Sequence, residues 1–189
     1  MGLSVLALLI LALISIGLVL YFVALYNSLV QLKNDIDEAW ANIDVLLKQR
    51  HDQLPNLIEV CKGYMKYEQE TFQMVVEARN AYQSATTVQD KSQADNMTTG
   101  ALKTLFAVAE NYPDLKADSN FLQLQTRISE LEGKIADRRE FYNDSVNTYN
   151  VRIQQLPDAF IARIINFQPH ELSQGPGAHS RQAHERASV

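Results

Sequence analysis

The first 26 residues form a nearly uninterrupted apolar segment. Between residues 3 and 26, only three residues are neither apolar nor aromatic: Ser4, Ser15 and Gly17. As a helix, Leu3–Leu25 would be about 34 Å long, slightly more than a hydrocarbon core of about 30 Å. A cleavable signal would need a basic start and a small-residue cleavage site, and neither is present. The segment therefore predicts an uncleaved single-span transmembrane anchor over residues 1–26.

Beyond the anchor, apolar positions recur at alternating intervals of three and four residues. One series runs over residues 36–82, a second over 121–156, and a shorter one over 102–112. This spacing is typical of helices packed side by side with a left-handed crossing. The second series places Arg138 and Ser145 on the apolar face. The pattern predicts an all-α domain.

Several segments are expected to interrupt the helices. Residues 84–99 lack large apolar side chains, which predicts a loop, with Thr98 or Thr99 capping the next helix. Pro113 should end that helix, because the residue before a proline disfavours α geometry, and Asp118 or Ser119 should cap the following one. Pro157 should end the long helix, and residues 159–167 can form a short amphipathic helix. Residues 168–189 are polar and predict a disordered tail.

Pro55 leaves two alternatives for the first long helix. The apolar series keeps its register across this proline, so the helix could continue with a kink. An unbroken helix would leave about 30 Å of apolar face without a partner from the same chain. We therefore expect a fold-back near Pro55. The predicted fold is all-α, with a single N-terminal transmembrane helix followed by an up-and-down antiparallel four-helix bundle over residues 27–167.

Composition and charge argue against several classes of function. The chain has 17 Lys+Arg against 22 Asp+Glu and a net charge of -5, which disfavours nucleic-acid binding. A single Cys excludes an internal disulfide framework. No Glu has a His three residues later, and no glycine-rich phosphate loop or serine-hydrolase motif occurs. We expect no enzymatic activity, no cofactor and no metal site.

Candidate interaction positions are polar residues that interrupt the apolar pattern. Arg50, Glu68 and Arg79 fall on the apolar face of the first series, where unpaired charges would cost several kcal/mol. Pairing across helices is the favoured interpretation, and a polar recognition site is the alternative. Three further candidates are Tyr112, in a predicted turn, and Asn143 and Asn150, each of which follows a tyrosine, seven residues apart.

Several runs of residues resemble the LemA family. They include IDVLLKQR at 43–50, ENYPDLK at 110–116, and the Tyr-Asn pairs at 142–143 and 149–150. The resemblance extends in order over most of residues 1–167. It implies a bacterial membrane-anchored helical bundle without assigned catalytic residues. The polar ending at 171–189 departs from the short aromatic ending common in the family.

The functional hypotheses follow from this architecture. The first is a non-enzymatic, membrane-anchored scaffold that self-associates through apolar helix surface left exposed by the bundle. The alternative is a receptor or adaptor that binds a helix of another protein, membrane-bound or cytoplasmic, in a bundle groove. The predicted partners are the lipid bilayer and further copies of the chain. Lys33, Lys48 and Arg50 favour an N-terminus outside and a domain in the cytoplasm. The family resemblance implies the bacterial inner membrane as the location.

Overall fold

The computed structural model describes residues 2–175, and these contain helices and no strand. The helices are α1 (Gly2–Tyr64), α2 (Gln69–Ser84), α3 (Val88–Ala109), α4 (Pro113–Lys116), α5 (Ser119–Arg152) and α6 (Asp158–Ile165). Residues 167–175, called the C-terminal segment below, are not helical. The all-α class predicted from the sequence is confirmed. The rest of the expected tail, residues 176–189, lies outside the described residues.

The chain divides into two compact units. Unit 1 combines Met1–Glu38 with Asp144–His170, and unit 2 combines Ala39–Asn143 with Glu171–Val189. Both α1 and α5 contribute residues to each unit.

The preferred fold-back at Pro55 is wrong, because α1 continues through this proline to Tyr64. Pro55 is exposed, whereas Leu54, Leu57 and Cys61 are completely buried in unit 2. A proline inside a helix costs about 3 kcal/mol, and burial of one leucine side chain contributes about 1.5–3 kcal/mol. Burial of the apolar face on both sides of Pro55 therefore contributes more free energy than the lost backbone hydrogen bond costs.

The loop expected over residues 84–99 is also wrong. Only residues 85–87 connect α2 to α3, and Thr87 rather than Thr98 or Thr99 caps α3, accepting a hydrogen bond from the backbone N–H of Asp90 at 3.0 Å. The first half of α3 buries small residues, Ser92, Ala94 and Thr98, which permit a close approach to neighbouring helices. A helix packed through small side chains lacks the large apolar residues by which the pattern identifies a buried face. The additional helical turns cover apolar surface that was expected to have no partner.

The core of unit 2 draws buried side chains from α1, α2, α3 and α5, with Leu115 of α4. The register predicted for α5 is off by one at two positions. Arg139 and Val146 are buried, whereas Arg138 is exposed and Ser145 is half-buried. Both choices fit a spacing of three or four residues, so periodicity alone did not distinguish them. The predicted cap of α5 is confirmed, since Asp118 Oδ1 accepts hydrogen bonds from the backbone N–H groups of residues 120 and 121.

Unit 1 contains the apolar start of α1. Among the described residues, α1 is the one helix long and apolar enough to cross a membrane, and its most apolar stretch is not buried inside the protein. The short amphipathic helix predicted near the C-terminus is present as α6. It packs beside α1, with the rings of Phe22 and Phe160 6.0 Å apart. Asn166 ends α6 in the left-handed conformation, with φ of 60°.

Candidate functional site

Unit 2 contains a buried cluster of three charges on three helices. Asp95 of α3 lies between Arg50 of α1 and Arg139 of α5, at 3.3 Å from Nη1 of Arg50 and 3.0 Å from Nη2 of Arg139. The side chains of all three residues are at most 7% exposed. Arg50 Nη2 also donates a hydrogen bond of 2.7 Å to Thr99 Oγ1. The cluster therefore ties together α1, α3 and α5.

Burial dominates the electrostatics of this cluster. Desolvation raises the pKa of the Asp95 carboxyl group, although Arg50 and Arg139 act in the opposite direction. Desolvation also lowers the pKa of Arg139. Two cations and one anion leave one excess positive charge, and no described residue accepts a hydrogen bond from Nε of Arg50 or of Arg139. Burial of these charges costs free energy, so the cluster by itself is weak evidence for stabilisation of the fold.

A small cavity of about 230 Å³ adjoins the cluster. Arg50, Thr99, Arg139 and Asn143 line it, together with the half-buried Glu132. Guanidinium groups cannot coordinate a cation, and no group of three His, Cys, Asp or Glu residues within the described range could hold a metal ion. The arrangement provides hydrogen-bond donors but no activated nucleophile beside them.

His51 lies one residue beyond Arg50 and is buried in a different environment. Its ring stacks on Tyr82 of α2 with centroids 3.9 Å apart, and its Nε2 lies 3.5 Å from Thr98 Oγ1. The Thr98 hydroxyl donates to the carbonyl of residue 94, and Nδ1 of His51 has no hydrogen-bond partner among the described residues. Desolvation, with smaller effects from Arg50 and Arg79, lowers the pKa of His51 to about 4. His51 is therefore neutral at physiological pH.

A second polar group lies near the other end of unit 2. Glu68, just before α2, accepts a hydrogen bond of 2.9 Å from the Tyr112 hydroxyl. Tyr64, at the end of α1, donates one of 3.0 Å to Asp118. Glu68 and Tyr112 are half-buried, and they join the α1–α2 connection to the α3–α4 connection. Both candidate residues therefore have a hydrogen-bond partner within the chain.

The two Tyr-Asn pairs of α5 bind the backbone of the C-terminal segment. In unit 1, the Asn150 side chain donates to the carbonyl of His170 and accepts from its N–H, both at 2.9 Å. In unit 2, Asn143 makes the same two contacts with Ser173, at 3.0 and 2.9 Å. The neighbouring tyrosines, Tyr149 and Tyr142, donate to the carbonyls of residues 168 and 171. The sequence places these residues in a disordered tail, but residues 168–173 are held by side chains of α5, and within unit 2 two α3 side chains, Ser92 and Asn96, also contact residues 173 and 174.

The candidate residues thus fall into separate groups. Arg50 pairs with Asp95, whereas Glu68 binds elsewhere. Arg79 is half-buried and helps to lower the pKa of His51. Asn143 and Asn150 bind the C-terminal segment. Sequence reasoning missed Asp95, because it lies in the region interpreted as a loop, and it assigned Thr99 only as a possible helix cap. It also missed Arg139, through the one-residue register error. The available signal was a helical spacing of three, three and four residues through Ser92, Asp95, Thr98 and Leu102, which is obscured because the first three are not large apolar residues.

The all-α fold and the exposed apolar start of α1 indicate a membrane-associated helical protein. A model of the LemA family matches residues 39–185, most of the chain. The protein belongs to the LemA family. The match begins within α1 and extends beyond residue 167, so it includes the C-terminal segment.

Relatives support this assignment. The chain is 25% identical over 175 residues to the magnetosome proteins MamQ 1 and MamQ 2 of Paramagnetospirillum magneticum, covering 79% of this chain and 64% of each relative. It is 31% identical over 137 residues to protein LemA of Metamycoplasma hominis, covering 70% of this chain and 61% of that protein. The chain thus spans less than two thirds of the length of these relatives. Their names assign no catalytic activity.

Proposed function

We propose that this protein is a non-enzymatic scaffold, anchored in the membrane by one helix, which self-associates by exchanging its C-terminal segment between copies. The observation that carries the proposal is the recognition of this segment through its backbone. Asn143 and Asn150 each bind both backbone groups of one residue, as a neighbouring β-strand would. The same contacts form whether the segment comes from the same chain or from a second copy.

The spacing of the two Tyr-Asn pairs suits an extended ligand. The pairs repeat after seven residues, and a helix advances about 10.5 Å over seven residues. Their partners in the segment repeat after three residues, and an extended chain advances about 10 Å over three. Each unit therefore has one Tyr-Asn pair that binds its own part of the segment. Asn166, whose left-handed conformation ends α6, provides a point at which the segment can be redirected.

The apolar face of the first helical series does not support the original route to self-association. That route required part of this face to be exposed, whereas Ile43, Leu47, Leu54 and Leu57 are completely buried within unit 2. Exchange of the C-terminal segment needs no exposed apolar face, since it replaces internal contacts with identical ones between copies. Self-association is therefore attributed to this segment.

The bundle topology belongs to the same proposal. Within unit 2, α1 and α2 meet at Asp44 and Tyr82, near the end of α2, which supports antiparallel packing. The rings of Phe106 of α3 and Phe121 of α5 lie 6.2 Å apart across a short connection. With Arg50 beside Asp95, these pairs support an up-and-down antiparallel four-helix bundle.

Light scattering of the full-length protein in mild detergent tests self-association. We expect discrete homo-oligomers for the unmodified chain and a shift to monomers for the double variant Asn143→Ala, Asn150→Ala. The matched control is Asn147→Ala, an exposed position on the same helix. Monomers of the unmodified chain at all concentrations would refute the scaffold. Oligomers unaffected by the double variant would refute the exchange mechanism.

The alternative function is a receptor or adaptor for a helix of another protein. A groove of about 520 Å³ in unit 2 lies between residues 53–60 of α1 and 120–127 of α5. Its lining is mostly polar and includes Glu59 and Arg127. This alternative requires a monomer that binds its partner in the groove, and Arg127→Glu should then abolish that binding.

The proposed location is the bacterial inner membrane, with the N-terminus outside and unit 2 in the cytoplasm. Lys33 and Lys48 are exposed in the part of α1 that follows the apolar segment in sequence. Basic residues after a span favour a cytoplasmic position for that part of the chain. Cys61 is buried, so a cysteine introduced at the exposed Gln83 would be the accessible thiol. A membrane-impermeant thiol reagent should label it only after cells are permeabilised. Labelling in intact cells would show the opposite orientation.

A further inference from the structure

Helix α6 presents an unusually apolar outer face. Phe160 and Ile164 are 56% and 67% exposed on one face of the helix, whereas Ala159, Ile161 and Ala162 are buried. Leu156, just before the helix, and Ile165, its last residue, are also exposed. Exposure of several large apolar side chains on one short helix is characteristic of a surface that is covered in the functional state.

The acidic residue of α6 does not lie on its exposed face. Asp158 is 8% exposed and accepts a hydrogen bond of 2.8 Å from Nε of Arg152. Arg152 is in turn hydrogen-bonded to Ser28 of α1 at 2.9 Å. The exposed charge of the helix is Arg163, a long cationic side chain next to Ile164. An apolar face bordered by a cation suits the boundary between lipid chains and phosphate groups.

The position of α6 along α1 sets its depth. Its residues and Val19, Phe22, Val23 and Tyr26 of α1 line an apolar groove of about 430 Å³. A spanning helix needs about 20 apolar residues, and the apolar segment covers residues 3–26. Every stretch of about 20 residues within that segment contains Val19 and Phe22. If α1 spans the bilayer, α6 therefore lies beside the part of α1 that is inside or at the edge of the hydrocarbon.

We infer that α6 is a second membrane-contacting element, lying in the bilayer interface beside the end of the span, with lipid chains covering Phe160 and Ile164 and filling the groove. This inference rests on the proposed anchoring by α1. Lipid is the favoured occupant because the face continues the exposed apolar surface of α1 within the same unit. A second protein copy or water over the face would each contradict it.

Tryptophan quenching by brominated lipid chains tests the inference on the full-length protein. In a Trp40→Phe background, the chain is reconstituted into vesicles of phosphatidylcholine and phosphatidylglycerol with bromine at a shallow or a deep chain position. Phe160→Trp is the test variant, and Ile164→Trp is an independent second one. Phe141→Trp in unit 2 is the matched control, because Phe141 and Phe160 are both 56% exposed. Leu13→Trp, within the apolar segment, reports on the anchor.

We expect shallow bromine to reduce the fluorescence of both α6 variants at least about twofold, and more than deep bromine does. The Phe141→Trp control should be unaffected. If Leu13→Trp is quenched but neither α6 variant is, the inference fails and the anchor stands. If Leu13→Trp is also unquenched, the proposed anchoring fails as well. Tryptophans on α6 that neither brominated lipid nor aqueous iodide can quench would show that protein covers the face, which overturns the inference.

Discussion

The buried histidine of unit 2 makes stability depend on pH in a defined direction. His51 has a pKa of about 4 in the folded protein against 6.5 for an unperturbed histidine. As the pH falls through about 6.5, the unfolded chain takes up a proton that the folded protein accepts only near pH 4. The folded protein is therefore fully stable with respect to this group above pH 6.5, and it loses stability between pH 6.5 and 4.

The magnitude follows from the difference between the two pKa values. Lowering the pH from 7.5 to 5 reduces the free energy of unfolding by about 2 kcal/mol. The reduction approaches about 3 kcal/mol below pH 4. This is a substantial fraction of a typical unfolding free energy of about 5–15 kcal/mol. Its main structural origin is desolvation, because protonation would create a buried imidazolium, and the charges of Arg50 and Arg79 add smaller effects of the same sign.

Urea denaturation in mild detergent measures this effect. Trp40, the single tryptophan, lies with its ring 5.5 Å from that of Tyr142 and reports on unit 2. The unmodified chain is compared at pH 7.5 and pH 5 with His51→Phe, which keeps a ring against Tyr82 and cannot titrate. We expect the unmodified chain to lose about 2 kcal/mol more than the variant between the two pH values. Equal losses in both proteins would refute the assignment of the pH dependence to His51.

Three further predictions concern the same unit; the first two use the same fluorescence and the third an alkylation rate. Replacing Arg50, Asp95 and Arg139 together by Met, Leu and Met should leave the free energy of unfolding within about 1 kcal/mol or raise it, because three desolvated charges are removed; a loss above about 3 kcal/mol would contradict this. Pro55→Ala should raise the free energy of unfolding by about 1–3 kcal/mol, since alanine restores a backbone hydrogen bond within α1. No gain would argue against a continuous helix. Burial raises the pKa of Cys61 to about 12 from 9.0, so alkylation at pH 8 should be about a thousandfold slower in the folded protein than in urea. Similar rates in both states would show that the thiol is accessible.

Features set by local interactions were predictable from the sequence. The apolar stretch from residue 3 to 26 is long enough to be a membrane span in any tertiary context. The α5 cap at Asp118 depends on backbone groups two and three residues away. The alternating spacing of Ile43, Leu47, Leu54 and Leu57 identified a helix face that is buried in unit 2.

Features that depend on distant partners required the tertiary structure. Periodicity fits both Arg138 and Arg139, and the buried carboxylate of Asp95 on another helix selects Arg139. The first half of α3 buries small side chains, and their value as core residues depends on how closely neighbouring helices approach. The proline of α1 is tolerated because leucines on both sides of it are buried by other helices. Asn143 and Asn150 were recognisable as polar candidates, but the backbone groups that they bind lie 20–30 residues later in the chain. Local sequence defines which helices and caps can form, whereas the choice of buried partners depends on contacts that form only when distant segments pack together.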